Sequence, residues 1–489
     1  MRVRIIGGGV AGLSLALALQ ERAGVDEVTI YERETHETLP QKLGHGLILM
    51  ENGVSALASI GCADVLADSK PLRRTVLQTP GAALRDEAMG AVYSVTRAAI
   101  VEGLRARLGA GVLKLARRCV ELHTAPTAGG RRRICALSFA DGSREAIAAD
   151  ELVVDASGWR SPMCGALNPG YARRPSRVKE LVTSTHLPEL AARLGDTFVK
   201  TVLPGRGIAF GLLSPTPERV IGFLQFDAER VAPPPRGASE ATLRAFLDEH
   251  LGDAPAIVRE YLAAADLATA HVWHPVDADI PPVLHCDNAV IIGDAAHPLL
   301  PFTSQGVSAA LEDSVILADT LAAVDDRAEL PAALAGFAAD RRADVAVYIA
   351  EGRRILADFV ATGAPSTLPY IAGEASRLGE HLALPAPRIA DLFAALDLNG
   401  DGGLDRDEYA RGLVRLGLVG DAEATFVELD ADDDGRLDLG EIRRGLRGDL
   451  APISSGLSRV RRRLSPRGIS TLLVAIRDAD VDAPIARGA

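Results

Sequence analysis

Several things are scarce in this sequence, and each scarcity excludes something. Aromatic residues make up only 4% of the 489 positions, so they do not single out a function. The net charge of −12 lacks the basic excess that general nucleic-acid binding requires. Five cysteines, Cys62, Cys119, Cys135, Cys164 and Cys286, are odd in number and form no CxxC pair. A disulfide framework and a zinc site are therefore disfavoured, and a reducing, cytoplasmic setting is expected. Beyond the opening stretch, no segment offers the roughly 18–20 uninterrupted apolar residues of a membrane span.

The opening stretch, MRVRIIGGGVAGLSLALALQ, has two readings. Its basic start and Ala16-Leu17-Ala18 resemble a secretory signal. Alternatively, Val3 to Ile6 form a strand, Gly7, Gly9 and Gly12 a G-x-G-x-x-G turn, and the apolar residues to about Arg22 a helix. Each glycine then has its own reason: Gly7 for the tight turn, Gly9 for approach of a pyrophosphate, Gly12 for close helix–strand packing. The free amides of Val10, Ala11 and Gly12 would face phosphates at the helix N-terminus. A second apolar strand, EVTIYERE, ends at Glu32 and Arg33, and Glu32 follows Gly12 by 20 residues, the spacing of a carboxylate that holds adenosine ribose. A signal peptide needs no such acid, so the dinucleotide reading prevails.

Downstream, NAVIIGDAAHPLLPFTSQGVSAALEDSVILADTL (residues 288–321) reads as a strand, a Gly293-Asp294 corner, a proline-punctuated loop and a helix from Gly306. A carboxylate at a strand's carboxyl end lies where ligands of such sheets bind. The amides of the following helix, including that of Val307, point back at the same place. The string GDAAH to Ala318, with the N-terminal glycines, resembles the flavin-dependent aromatic hydroxylases of the para-hydroxybenzoate hydroxylase type. GHGLILMENGVSALASIG and YSVTRAAIVEGLRARL resemble two further segments of that family.

The resemblance implies an α/β fold: a Rossmann-like FAD-binding domain with an inserted antiparallel β-sheet substrate domain. It implies that Asp294, Gly306 and Val307 touch flavin, that Arg97 contacts FAD near its phosphates, and that the backbone of Val120, ending a strand, meets adenine. Pro301 would line the face where oxygen reacts. Two departures stand out. In LVVDASGWRSPMCG, Ser157 replaces the acid usual before the glycine, and Ser304 replaces a residue more often glycine. No second G-x-G-x-x-G appears, so NAD(P)H, the implied reductant, would have no domain of its own.

Residues 169–282 carry short alternating runs, GIAFGLLS and RVIGFLQFD, that suggest strands roofing a substrate cavity. Phe210, Phe223 and Phe226 suggest an apolar substrate, with most of them simply core. His45, Arg206, His274 and His297 are candidate bases or anion anchors, with His45 preferred as catalytic and His297 read as shaping its loop. Trp273-His274-Pro275 invites comparison with flavin halogenases, but a single tryptophan and a poorly placed Lys70 argue against it.

Between Arg388 and Arg447 stand 8 Lys/Arg against 15 Asp/Glu, so most of the net charge is local. DLNGDGGLDRDE and DADDDGRLDLGE, which begin 33 residues apart, both fit the EF-hand loop D-x-[DN]-x-[DN]-G-x5-E. The first would bind Ca2+ through Asp397, Asn399, Asp401, the Gly403 carbonyl, Asp405 and Glu408. The second would use Asp430, Asp432, Asp434, the Arg436 carbonyl, Asp438 and Glu441. The pair resembles the calmodulin-like EF-hand family and adds an all-α unit. A basic segment around Arg459 to Arg467 is expected either as a solvated arm or as a ligand that docks on the pair.

The expected organisation is 1–168 FAD-binding, 169–282 substrate sheet, 283–385 FAD-binding with following helices, 388–447 EF-hand pair and 451–489 basic tail. The expected activity is an FAD-dependent monooxygenase that acts on a small aromatic or polyketide-like molecule with NAD(P)H and O2. The alternatives are a flavin oxidase or reductase without oxygen insertion, and a calcium-binding regulatory protein that keeps FAD structurally.

Overall fold

The computed structural model describes residues 1–20, 25–38, 46–127, 130–324 and 326–362. In the acidic region it describes 393, 397, 401–406, 408–409, 426–427, 429–430, 434–438 and 441. The chain divides into two compact units, Met1–Ile371 and Ala372–Ala489.

The first unit holds two large sheets. One has six strands in the spatial order His285–Cys286, Ala289–Ile291, Glu151–Asp155, Arg2–Ile6, Glu27–Tyr31 and Leu113–Lys114. All neighbours run parallel except the first pair. Val3, Ile5, Leu152, Val153 and Val154 are fully buried, as central parallel strands covered on both faces must be. Arg4 breaks that apolar run. Its guanidinium reaches Glu151 at 2.6 Å, Glu27 at 2.8 Å and Thr29 at 2.8 Å, tying three strands together.

The helix Val10–Gln20 is buried from Val10 to Leu19, so it lacks a polar face. It packs against the helix Gly306–Ala322. Ser14 Oγ and Ser314 Oγ lie 2.8 Å apart, and Ser314 donates to the Ala11 carbonyl at 2.9 Å. Residues 300 positions apart are thus joined beside the glycine turn.

The second sheet has eight strands in the order His271–Trp273, Val178–His186, Arg219–Asp227, Ile208–Thr216, Thr197–Leu203, Lys70–Gln78, Ala83–Thr96 and Gly46–Leu49. It is larger than the sequence suggested and not wholly antiparallel. Three strands come from residues 46–96, and Thr197–Leu203 runs parallel to Lys70–Gln78. Arg73 and Arg74 interrupt KPLRRTVLQ, which hid its strand character from the apolar pattern. Leu181, Phe210, Leu212, Leu224 and Phe226 pack with Leu247, Val258 and Tyr261 of the covering helices. The alternate residues point to the opposite face. No helix among the described residues is long and apolar enough to cross a membrane.

In the second unit, Leu404 and Leu437 exchange two backbone hydrogen bonds of 2.9 Å and are fully buried. Phe393, Tyr409 and Phe426 are buried with them, and the Tyr409 and Phe426 rings meet edge to face. The basic tail lies outside the described residues.

Candidate functional site

The glycine turn is set by close approaches. Gly7 has φ +107°, and a Cβ there would stand 2.4 Å from the Ala156 carbonyl oxygen. A Cβ on Gly12 would stand 2.0 Å from the Gly7 carbonyl oxygen, so helix and strand can meet only at glycine. Leu13 is the first amide satisfied within the helix, at 3.0 Å from Gly9 O, which leaves the preceding amides at a free helix end.

The Gly293-Asp294 corner faces this turn. Gly293 has φ +60°, and its would-be Cβ lies 3.1 Å from the Ala11 Cβ. Asp313 holds the corner by accepting from Gly293 N at 2.6 Å and contacting His297 Nε2 at 2.6 Å. His297 therefore shapes the loop, as its motif position suggested.

A cavity of about 830 Å3 opens between these pieces. Gly9, Val10, Ala11, Arg97, Asp294, Pro301, Gly306 and Val307 all line it. Gly7 and Gly12 are not among the lining residues but set the turn that carries Gly9. Solvent reaches Asp294 through the cavity although protein encloses its other sides. Burial pushes its carboxyl up, and the Arg97 guanidinium pulls it back.

Three further cofactor candidates lie outside the lining. Glu32 is buried, and its carboxylate accepts from Gly8 N at 2.7 Å and Glu34 N at 2.8 Å, which pins the glycine turn. Arg33 is exposed and leans on Glu34 at 3.3 Å. Val120 is exposed near the start of the strand Cys119–Pro126, not at the end of one. His45 lies outside the described residues. Arg206 pairs with Asp253 at the surface, and Lys70 bonds Ala191 O and Ser214 Oγ, each at 3.1 Å.

Ser157 has a clear structural role. Its amide and hydroxyl donate to Asp155 Oδ1 at 2.9 and 2.5 Å, while Ser161 Oγ and Met163 N bind Oδ2 at 2.7 and 3.1 Å. Burial pushes the Asp155 carboxyl up, against these four donors. The motif keeps its turn, with Gly158 at φ +84°, by this internal bonding.

The sequence reading missed the polar part of the cavity. Glu180, Lys200 and Gln225 line it with Phe198, Phe223, His271 and Trp273. Of the three phenylalanines singled out, only Phe223 faces the cavity; Phe210 and Phe226 are core on the opposite side. The available signal was a lone Lys in FVKTVL and a lone Gln in FLQFD, each among apolar neighbours.

The residues present fit FAD. A Cβ on Gly9 or Gly306 would meet nothing within 4 Å, so both backbones border open space at a helix N-terminus. The family described as FAD binding domain matches residues 1–349. The chain belongs to the FAD-dependent monooxygenases. It is 31% identical over 381 residues to a kynurenine 3-monooxygenase of Salinispora arenicola, covering 70% of this chain and 76% of that protein. It is 29% identical over 344 residues to a 3-amino-4-hydroxybenzoate 2-monooxygenase of Streptomyces cremeus, covering 66% and 78%. The fold matches that of Klebsiella pneumoniae HpxO complexed with FAD and uric acid, with a TM-score of 0.63 and 24% identity over 73% of this chain and 88% of that one.

The EF hand family matches residues 389–414 and 422–446, so this monooxygenase carries an EF-hand pair. The described parts of the two loops repeat each other. Asp397 accepts from Asp401 N at 3.1 Å and Gly402 N at 2.9 Å; Asp430 accepts from Asp434 N at 3.1 Å and Gly435 N at 3.0 Å. Glu408 and Glu441 are buried and exchange bonds with Asp405 and Asp438 in the same way. Gly402 and Gly435 take φ of +84° and +80° at the sharp turn. The all-oxygen donor set suits calcium. Asn399 and Asp432 lie outside the described residues, and among those described no three carboxylates yet converge on a point. Arg436 reaches across to Asp401 and to the Gly403 carbonyl at 3.3 Å.

Proposed function

We propose that this monooxygenase inserts one oxygen atom into a small aromatic molecule in the cytoplasm, using NAD(P)H and O2, and that its EF-hand pair binds Ca2+. The observation that carries the reading is the single cavity lined by Gly9, Arg97, Asp294 and Gly306, which are distant in sequence. FAD, when bound and reduced by the nicotinamide donor, supplies the electrons that activate O2.

The chain's own part is to bind, orient and exclude water. Amides of Val10 to Gly12 would receive the pyrophosphate, with Arg97 beside it and Asp294 on the ribityl side. Glu32 and Arg33 belong to the adenosine end, and the Val120 backbone to adenine. Amides of Gly306 and Val307 would offer positive partial charge to the flavin ring, and Pro301 would border its reacting face. His45 is the proposed base. Two relatives support an aromatic substrate: their names give kynurenine and 3-amino-4-hydroxybenzoate as what they hydroxylate.

The test is NAD(P)H consumption by the yellow protein with candidate aromatics, followed by mass spectrometry. A product heavier by one oxygen atom is expected. Consumption that yields only hydrogen peroxide with every aromatic would favour an oxidase instead. The basic tail is proposed to dock on the calcium-loaded pair; identical calcium titrations with and without residues after Gly456 would end that idea.

A further inference from the structure

Lys200 occupies an unusual position. It lies on the strand Thr197–Leu203, is only 2% exposed, and faces the cavity between apolar neighbours. Among the described residues its ammonium makes no hydrogen bond or ion pair, and its electrostatic partner is Glu180, beyond ion-pair distance. Burial pushes Lys200 down to about 8, with Glu180 opposing. A buried cation held this way is costly unless an anion completes it.

The groups beside it are acceptors. Glu180 and Gln225 are register partners on neighbouring strands, and Gln225 Nε2 donates to Glu180 Oε2 at 3.1 Å. Gln225 Oε1 is buried without a partner. Burial pushes the Glu180 carboxyl up, with Gln225 and Lys200 opposing. One donor of positive charge therefore stands near an amide oxygen that lacks a donor and a carboxylate that has one, from Gln225.

The wall between them is aromatic. The Phe198 and Phe223 rings stack at 5.8 Å and 20°. Phe223 lies over Gly211, where a Cβ would stand 2.1 Å from the ring. Such a wall suits a flat ring.

We propose that Lys200 receives an anionic substituent of the substrate while Glu180 and Gln225 accept from an amino or hydroxyl group on the same ring. The enzyme is thereby selective for amino- or hydroxy-substituted aromatic acids over their neutral counterparts. This rests on the cavity being the flavin and substrate site.

The test uses the FAD-loaded full chain and two probes, 3-amino-4-hydroxybenzoate and its carboxamide, titrated against the visible flavin spectrum. Wild type should bind the acid roughly 10–100-fold more tightly, the range of a charge-assisted hydrogen bond. Lys200→Met should reduce that preference to about threefold or less, while Lys200→Arg retains most of it. Glu180→Gln should weaken 3-amino-4-hydroxybenzoate more than 4-hydroxybenzoate, which lacks the amino group. Equal binding of acid and amide by wild type overturns the inference without any variant, as does an undiminished preference in a folded Lys200→Met. Failure of the flavin reading would be visible earlier and separately, as a wild-type protein that takes up no FAD.

Discussion

The two units handle carboxylates in opposite ways. In the first, buried acids are matched inside the chain. Arg341 is buried against Asp313 at 2.7 Å, Asp344 at 3.0 Å and Glu312 at 3.2 Å. Burial pushes Asp313 up, yet the His297 and Arg341 charges win and hold its carboxyl at about 2. Among the described residues of the EF-hand pair, Asp397 and Asp430 accept from amides of their own loops, and Arg436 crosses from one loop to the other. The flavin unit thus meets these buried acids with a cation of its own, Lys200 and Glu180 of the cavity apart, whereas the described loop aspartates of the acidic unit are arranged by backbone amides in the manner of a calcium loop. The first should be organised at all times and the second conditionally.

The harshest way to break this contrast is Gly12→Val. With a Cβ 2.0 Å from the Gly7 carbonyl oxygen, the helix and strand must part. A destabilisation of about 4–5 kcal/mol or more is expected, with FAD lost from the purified protein. The calcium titration of the EF-hand pair should not change. Retained yellow colour and an unshifted melting curve would show that the turn tolerates what its geometry forbids.

Arg341→Met comes next. Removing one partner of a buried charge cluster costs about 3–5 kcal/mol, read as a lower urea midpoint at unchanged slope. The pH dependence has a definite sign. The folded Asp313 value of about 2 lies below the ordinary 3.8, so its contribution is full above about pH 4 and lost as pH falls through 2. Arg341→Met should flatten that acid limb. An equally steep limb in the variant would assign the acid sensitivity elsewhere.

What was legible in the sequence follows the same physics. The glycine turn, the Gly293-Asp294 corner and both EF-hand loops are local patterns in which backbone conformation dictates residue type at fixed spacing. The cavity's polar groups are not local. Glu180, Lys200 and Gln225 meet only through the pairing of distant strands, and alternation alone does not say which face is wet. The same ambiguity left open which of Phe210, Phe223 and Phe226 would be core and which would face the cavity. Glu32 was identified by its spacing, but the bond to Gly8 that turns its carboxylate inward depends on atomic detail.

Arg436→Ala sharpens the contrast in the acidic unit. Calcium entering the first loop must displace the guanidinium from Asp401 and the Gly403 carbonyl. Because the pair is exposed, the gain in calcium affinity should be modest, roughly two- to fivefold, and confined to one site. Calorimetry resolves it. No change at either site would mean that Arg436 swings aside without consequence.

The smallest effect tests whether the flavin unit is relaxed everywhere. Ser304 ends the short turn Pro301–Thr303 with φ +54°, a left-handed conformation that side chains resist. Its neighbours hold it there: Gln305 accepts from Asn52 at 2.9 Å, and Ser308 accepts from Met50 N at 3.1 Å. Ser304→Gly removes the steric penalty but gives the unfolded chain more freedom, and the two oppose each other. The net change should be within about 1 kcal/mol of zero, with FAD content unchanged. A larger loss would mean that the serine hydroxyl, which lines the cavity, contributes contacts of its own to what binds there.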